Sequence, residues 1–237
     1  MKISPKLLRL IASFLQDRSI RIKVGDSLSK PVLLRTGTPQ GSVISPILYT
    51  LFVNDIPLDY PDIRSGQFAD DVSQRTSGRN EASNYYKLQK SLDRISQWCA
   101  KWRVKLNANK SQVMTLKQGK LKKKNNGTKL QLFLNGKPLK RVDEITLLGV
   151  TFQKNTSFAK HIQNKVDNSV NRINLMRCLR GRNWGASSKT LLYFYKAFVR
   201  PVLETGYIVT ADTKKTHLNK LQKVQNYALR IALVLPV

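Results

Sequence analysis

Apolar residues recur every three or four positions in several stretches of this chain, which is the spacing of helices that bury one side. The first stretch begins at Pro5 and ends at 17–19. A second begins at Ser45-Pro46, a capping residue followed by proline, and ends at 54–57. A longer stripe covers 81–105. Since the apolar stripes beyond about residue 157 all have this spacing, we predict an all-helical region there.

Shorter apolar stretches bounded by turn residues predict strands. They lie at 20–24, where apolar and basic residues alternate and predict a half-buried strand, and at 31–34, 112–117, 130–134 and 145–152. Gly25-Asp26 and Asn135-Gly136 are expected turns. A hairpin is expected over 64–76, with Asp70-Asp71 at its tip. These elements predict an α+β fold with a boundary near residues 153–157.

The chain is strongly basic. Its 237 residues include 42 Lys and Arg against 14 Asp and Glu, a formal net charge of +28. Such an excess repels itself unless a polyanion neutralises it, so nucleic acid is the leading partner, with a ribosomal-type or merely basic protein as the alternative. Seven of the carboxylates lie in residues 1–80. This asymmetry suggests a catalytic end followed by a surface that attracts phosphate.

Composition makes several classes of protein unlikely candidates. With two cysteines and two histidines, the chain supports no disulfide framework, thiolate zinc site or histidine-based triad. No apolar run approaches the ~20 residues of a membrane span. Charge interrupts the apolar N-terminal segment too early for a secretion signal. We therefore expect no membrane partner and an intracellular location, in the cytoplasm, the nucleus or both.

The pair Asp70-Asp71 is the main candidate for chemistry. Neighbouring aspartates are common on protein surfaces, but these two follow Phe68-Ala69 in a segment with few other charges. Adjacent strand residues point to opposite faces, so one carboxylate is expected to face a site. Hard carboxylate oxygens suit Mg²⁺, with Mn²⁺ as an alternative, and two such ions can clamp both oxygens of a phosphoryl transfer.

Two further features have two interpretations each. The segment Gly37–Ser42 is either an ordinary loop before a buried helix or a place where a base pair or sugar approaches Gln40-Gly41. Lys110 follows a helix and an asparagine-rich turn. It is either one of many solvated or phosphate-contacting lysines or a proton donor to a pyrophosphate leaving group.

Together these segments resemble one family, the reverse transcriptases of non-LTR retrotransposons, particularly the jockey type. Residues 35–57 are similar to motif B of that family, and residues 68–71, Phe-Ala-Asp-Asp, to its motif C. Residues 106–110 resemble motif D, and residues 147–150 resemble the primer-grip segment. His161-Ile162 and residues 198–203 resemble the helical connection and thumb that follow.

The resemblance implies a right-hand polymerase, with a partial palm of antiparallel strands and packed helices over 1–156 and a helical thumb over 157–237. The implied activity is Mg²⁺-dependent, RNA-directed transfer of deoxynucleotides to a primer 3′-OH. RNA template, DNA primer or target, and dNTPs would be its partners. By position, the metal-binding and catalytic carboxylates would be Asp70 and Asp71, and the general acid Lys110. The nucleotide and template contacts would be Pro39, Gln40, Gly41, Ser42, Phe68 and Ala69, and the primer grip Leu148 and Gly149.

The fingers of this family and its motif A, with a further metal-binding aspartate, are expected upstream of the helix that opens this chain. The chain therefore resembles the rear two thirds of a polymerase core. We expect it to polymerise weakly or not at all by itself, with the missing half supplied from elsewhere. The alternatives are a non-catalytic basic module that binds RNA or DNA, and an inert remnant that folds poorly.

Overall fold

The computed structural model describes residues 3–116, 130–181, 184–211 and 213–233. The chain divides into two compact units, Met1–Lys105 and Leu106–Val237. Helices and strands are mixed, which confirms the α+β class. The palm-and-thumb arrangement and the subdomain boundary at 156/157 stay predictions.

The first unit contains three helices and three antiparallel strand pairs among its described residues. The strand pairs are β1 with β4, β2 with β3, and β5 with β6. The elements in chain order are α1 (Pro5–Leu15), β1 (Arg18–Ile20), β2 (Lys23–Val24), β3 (Ser27–Leu28), β4 (Val32–Leu34), α2 (Ser45–Phe52), β5 (Arg64–Phe68), β6 (Asp71–Arg75) and α3 (Glu81–Lys101).

The predicted helix at Pro5 is confirmed, and the Ser4 hydroxyl caps it by accepting from the Leu7 N–H. None of its residues is buried, however: Leu7, Leu8 and Leu10 are exposed, and Ile11, Phe14 and Leu15 are half-buried. The prediction of one half-buried strand over 20–24 is wrong. Ile22 instead lies between β1 and β2, where its carbonyl accepts from the Ser29 N–H and its own N–H donates to the Ser29 hydroxyl. Ile20, Ile22 and Val24 are all exposed.

Helices α2 and α3 pack through aromatic rings. The Phe52 ring lies 6.0 Å from the Trp98 ring and 5.8 Å from the Trp102 ring, and the Trp98 indole N–H donates to Asp55 at 3.0 Å. Helix α2 begins at Ser45 as predicted, but the N-cap residue is Ile44, so the predicted capping role of Ser45 is wrong. Helix α3 ends four residues before the predicted position 105.

The early end of α3 has a local cause. Arg103 adopts a left-handed backbone conformation, φ 57°, and the Val104 N–H donates to the Cys99 carbonyl at 2.8 Å. This pattern is that of a Schellman C-cap, which stops a helix by satisfying its last carbonyls. Glycine normally occupies the left-handed position, and arginine gives no sequence signal for it.

The described residues of the second unit begin with three short strand pairs: parallel β7 with β10, antiparallel β8 with β9, and antiparallel β11 with β12. Helices follow, as predicted. The elements are β7 (Gln112–Val113), β8 (Phe133–Leu134), β9 (Lys137–Pro138), β10 (Lys140–Arg141), β11 (Glu144–Leu147), β12 (Val150–Gln153), α4 (Ala159–Cys178), α5 (Ser188–Phe194), a π-helical turn (Tyr195–Val199), α6 (Arg200–Glu204), α7 (Tyr207–Thr210) and α8 (Lys215–Ala232).

The core of the second unit lies between α4, α8 and the helical run from α5 to α6. Its buried members come from all of these elements: Ile173, Met176, Leu191, Tyr195, Val199, Leu203, Val224, Ala228, Ile231 and Ala232. The predicted cap at Ser187 is confirmed by the Thr190 N–H, which donates to its hydroxyl at 3.3 Å. Among the described helices, none is both long and apolar enough to cross a membrane.

Two hairpin turns in the second unit have the same backbone geometry. Asn135-Gly136 joins β8 to β9 with φ angles of 50° and 74°, and Leu148-Gly149 joins β11 to β12 with φ angles of 48° and 80°. The first turn was predicted from its sequence. The prediction of one continuous strand over 145–152 is wrong, because a leucine occupies a left-handed position that usually takes asparagine or glycine.

Candidate active site

The hairpin β5–β6 carries Asp70 in its two-residue loop and Asp71 at the start of β6. Phe68 pairs with Asp71 across the hairpin, so Ala69 and Asp70 form the loop. Ala69 has φ 49°, a left-handed conformation that alanine seldom adopts. Both aspartates are exposed, as is Phe68 beside them. The predicted hairpin is thus confirmed, and the tip presents two carboxylates to solvent.

A polar contact fixes this hairpin on α3. The Gln74 amide of β6 donates to the Ser91 hydroxyl at 2.7 Å and to the Ser65 hydroxyl at 3.1 Å, and Ser91 is fully buried. The Ser65 hydroxyl in turn donates to the Leu58 carbonyl at 2.9 Å. Both strands are therefore tied to their surroundings on the face opposite to Asp71 and Phe68. Sequence analysis missed these residues, since isolated serines and glutamines give no pattern.

The loop before α2 is held at its end and open in its middle. The Ser45 hydroxyl donates to the Pro39 carbonyl at 2.7 Å, and the Ile44 N–H donates to the Ser42 hydroxyl at 3.3 Å. Gln40 is exposed. A Cβ placed on Gly41 would have no atom within 4 Å, so the backbone there is open to the close approach of a ligand.

Tyr49 links α2 to the hairpin tip electrostatically. Burial raises the pKa of its phenol, and the negative charge of Asp70 raises this pKa further. The phenol therefore stays neutral at physiological pH while it lies within the field of the Asp70 carboxylate. Sequence analysis did not identify Tyr49, although its place on α2, four residues after Ser45, was a usable signal.

The donor set at the tip suits a hard divalent cation. Asp70 and Asp71 supply carboxylate oxygens, and Mg²⁺ is commonly bound by one or two carboxylates together with substrate phosphates. Within the residues that the structure describes, no group of three or more His, Cys, Asp or Glu side chains could hold a metal ion. Two exposed carboxylates fit a Mg²⁺ site of the kind that substrate phosphates complete.

The remaining predicted site residues belong to the second unit. Lys110 is exposed and ends a turn in which its N–H donates to the Asn107 carbonyl at 3.2 Å. Leu148 and Gly149 form the exposed β11–β12 turn. Pro39–Ser42 and Phe68–Asp71 lie within the first unit. The assembly of Lys110, Leu148 and Gly149 with the aspartates stays a prediction.

Comparison with known proteins identifies the class of protein to which these features belong. Residues 1–152 match the family described as reverse transcriptase (RNA-dependent DNA polymerase). The match covers more than half of the chain and includes the motif B-like loop, the aspartate hairpin and the β11–β12 turn. The chain therefore belongs to the reverse transcriptase family, whose members generally use divalent metal ions.

The more specific relatives are proteins of insect mobile elements. The chain is 28% identical over 233 residues to the RNA-directed DNA polymerase from mobile element jockey of Drosophila melanogaster, covering 95% of the chain and 25% of that protein. It is 29% identical over 237 residues to the RNA-directed DNA polymerase from mobile element jockey of Drosophila funebris, covering 96% of the chain and 25% of that protein. It is 28% identical over 232 residues to the probable RNA-directed DNA polymerase from transposon BS of Drosophila melanogaster, covering 93% of the chain and 25% of that protein. The chain is thus a jockey-like member that spans about a quarter of these relatives.

Proposed function

We propose that this chain provides palm and thumb segments of an RNA-directed DNA polymerase of a non-LTR mobile element. The observation that carries the proposal is the β5–β6 hairpin, which holds Asp70 in an exposed two-residue turn and Asp71, also exposed, directly after it. The relatives named as RNA-directed DNA polymerases support the same reaction. The proposed reaction is Mg²⁺-dependent transfer of a deoxynucleotide to a primer 3′-OH, with Mn²⁺ as the alternative metal.

Asp70 and Asp71 would hold the metal. Bound there, divalent ions would supply charge neutralisation for the attacking and leaving oxygens of an in-line phosphoryl displacement. The chain contributes by fixing the carboxylates: Gln74 ties both strands to α3, and the two-residue loop leaves the tip little freedom. The exposure of both aspartates leaves their oxygens available to a triphosphate ligand.

The nucleotide and template contacts would come from the same unit. Gln40 and Gly41 lie in an open loop whose end is fixed through Pro39 and Ser42, which suits a backbone that lies against a base pair. Phe68 and Ala69 would contact the nucleotide and template beside the aspartates. Lys110, which is exposed on its turn, would donate a proton to the pyrophosphate leaving group.

Leu148 and Gly149 would form the primer grip. Leu148 is 55% exposed and strained at φ 48°, whereas the β8–β9 turn of the same geometry uses asparagine. A non-glycine residue in this conformation costs about 1–2 kcal/mol, and asparagine tolerates it better than leucine. Stability alone would therefore favour Asn-Gly at both turns. An exposed, strained leucine instead favours an apolar contact with a ligand.

A non-catalytic module that binds RNA or DNA is the second candidate function. The charge of +28 and exposed lysines along α8, such as Lys215, Lys220 and Lys223, favour phosphate binding without requiring a metal. Polymerase and binding module both imply contact with nucleic acid and an intracellular location. They differ in whether the function depends on the Asp70 carboxylate, which only the polymerase requires.

The test is primer extension on an RNA template with Mg²⁺, using the wild type, Asp70→Ala and a control, Asp26→Ala, which removes an exposed turn carboxylate from the same unit. Extension that is lost only in Asp70→Ala supports the polymerase. No extension even when the upstream fingers and motif A half is supplied as a separate polypeptide, together with salt-sensitive duplex binding that is equal in all three proteins, would reject it in favour of the binding module. Extension that persists in Asp70→Ala would contradict the assigned site.

A further inference from the structure

A buried polar cluster lies directly beneath the β11–β12 hairpin. His161 and Lys165, one turn apart on α4, are only 3% and 4% exposed. The Thr151 backbone N–H donates to the Nδ1 atom of His161 at 3.3 Å. The Lys165 ammonium donates to the Thr205 carbonyl at 2.7 Å. Burying a histidine and a lysine is unfavourable, so this pair calls for a role beyond filling space.

Gly206 completes the cluster from the other side. It has φ 69°, and a Cβ placed on it would lie 2.8 Å from the Val150 side chain and 3.3 Å from the His161 Nε2 atom. We call His161, Lys165 and Gly206 the hairpin seat. Val150 and Thr151, which rest on the seat, directly follow the exposed Leu148-Gly149 turn. The seat therefore contacts the part of the hairpin nearest to its tip.

The electrostatics of the seat require a neutral histidine. Burial lowers the pKa of His161, the charge of Lys165 lowers it further, and the Thr205 backbone partly offsets both effects. Burial likewise lowers the pKa of Lys165, which the charge of Glu204 on α6 opposes. From β12, Val150 and Thr151 face the histidine and neither titrates. Neutral His161 can accept from the Thr151 N–H at Nδ1, but protonated His161 has only donors.

We infer that the hairpin seat positions the Leu148-Gly149 turn for the primer strand, and that neutral His161 is required for this. The inference rests on the proposed primer-grip role of that turn. His161 and Lys165 are positioning residues, since both act through the backbone segments that they hold and neither needs to contact the nucleic acid. Loss of the Thr151 hydrogen bond would free the hairpin to leave its binding orientation. A smaller fraction of the protein would then be able to bind the primer, and the apparent affinity would fall by the same factor.

The experiment measures the affinity of the full chain for a fluorescein-labelled DNA primer annealed to an RNA template, by anisotropy at constant salt. His161→Leu removes the acceptor at similar volume, and His161→Asn keeps an acceptor close to the Nδ1 position. Ser169→Ala is the matched control, because Ser169 is fully buried on the same helix. We expect about a tenfold loss of affinity in His161→Leu, as for one lost hydrogen bond. We expect wild-type affinity in His161→Asn and Ser169→Ala.

The pH profile separates positioning from mere structural support. As pH falls below 6.5 and through the lowered pKa of His161, this histidine gains a proton in the wild type and affinity should fall. His161→Asn should lack this fall, and His217→Asn, which changes the other histidine, should keep it. Equal profiles for His161→Asn and the wild type would overturn the inference, as would unchanged affinity in His161→Leu.

One further variant tests the proposed primer-grip role of the Leu148-Gly149 turn separately from the role of the hairpin seat. Leu148→Asn should weaken primer–template binding without loss of folding if the turn is a primer grip. Wild-type affinity in Leu148→Asn, or no duplex binding by the wild type, would overturn the primer-grip proposal and the inference together. Weakened binding in Leu148→Asn with no effect of His161→Leu would overturn the inference alone.

Discussion

Replacing Gly206 with alanine should destabilise the second unit far more than the same change at Gly136. Both glycines have left-handed backbones, with φ angles of 69° and 74°. An alanine in this conformation costs about 1–2 kcal/mol of unfolding free energy. At Gly136 no atom lies within 4 Å of the added Cβ, whereas at Gly206 the Val150 side chain lies at 2.8 Å. Overpacking adds about 1–3 kcal/mol, so we expect a loss of about 2–5 kcal/mol in Gly206→Ala.

The pair of variants isolates the steric contact because the backbone strain is nearly the same in both. Urea unfolding followed by far-ultraviolet circular dichroism measures the two free energies, and the variants should differ by about 1–3 kcal/mol. In a chain of this length each kcal/mol corresponds to roughly 2–4 °C in melting temperature. Equal destabilisation of the two variants would refute the reasoning, since it would show that Val150 and His161 move away from the added Cβ at no cost in free energy.

Three other predictions concern single contacts. Gln74→Ala should lower the unfolding free energy by about 2–3 kcal/mol in urea titrations, because it leaves the buried Ser91 hydroxyl without its amide donor and opens a cavity. Arg75→Thr should raise the melting temperature slightly, by relieving about 0.2–1 kcal/mol of repulsion with Arg64 directly opposite on β5. Because the folded-state pKa of His161 is lowered from 6.5, its stabilising contribution is fully present above pH 6.5 and is lost as pH falls through the lower folded-state value. Unfolding free energies measured against pH should show this loss in the wild type and not in His161→Asn.

Local signals predicted much of the fold. Asn135-Gly136 is a turn sequence whose residues both tolerate left-handed backbones, and Ser187 caps its helix through its own hydroxyl. In such cases the cause of the structure lies within a few residues. The loop that carries Asp70 was predicted for a related reason, since two adjacent aspartates interrupt an otherwise strand-like segment.

The failures have two causes, residue types that do not signal their backbone conformation and contacts between distant residues. Leu148 and Arg103 adopt left-handed conformations that their side chains do not favour, so neither residue type signals its turn. The contact between Gln74 and Ser91 joins residues 17 apart, and the hydrogen bond between Thr151 and His161 joins a strand to a helix. None of these contacts leaves a periodic pattern in the sequence. His161 in particular has no partner among its neighbours in the chain.

The two-residue loop between β5 and β6 makes this hairpin intolerant of insertions and deletions. Side chains alternate between the two faces, so one residue gained or lost within 64–75 would turn Asp71 toward α3 or Gln74 away from it. A substitution on the exposed face leaves this register intact. A single-residue length change in the hairpin should therefore displace the aspartates from their place at the tip, whereas a substitution on the exposed face should leave them there.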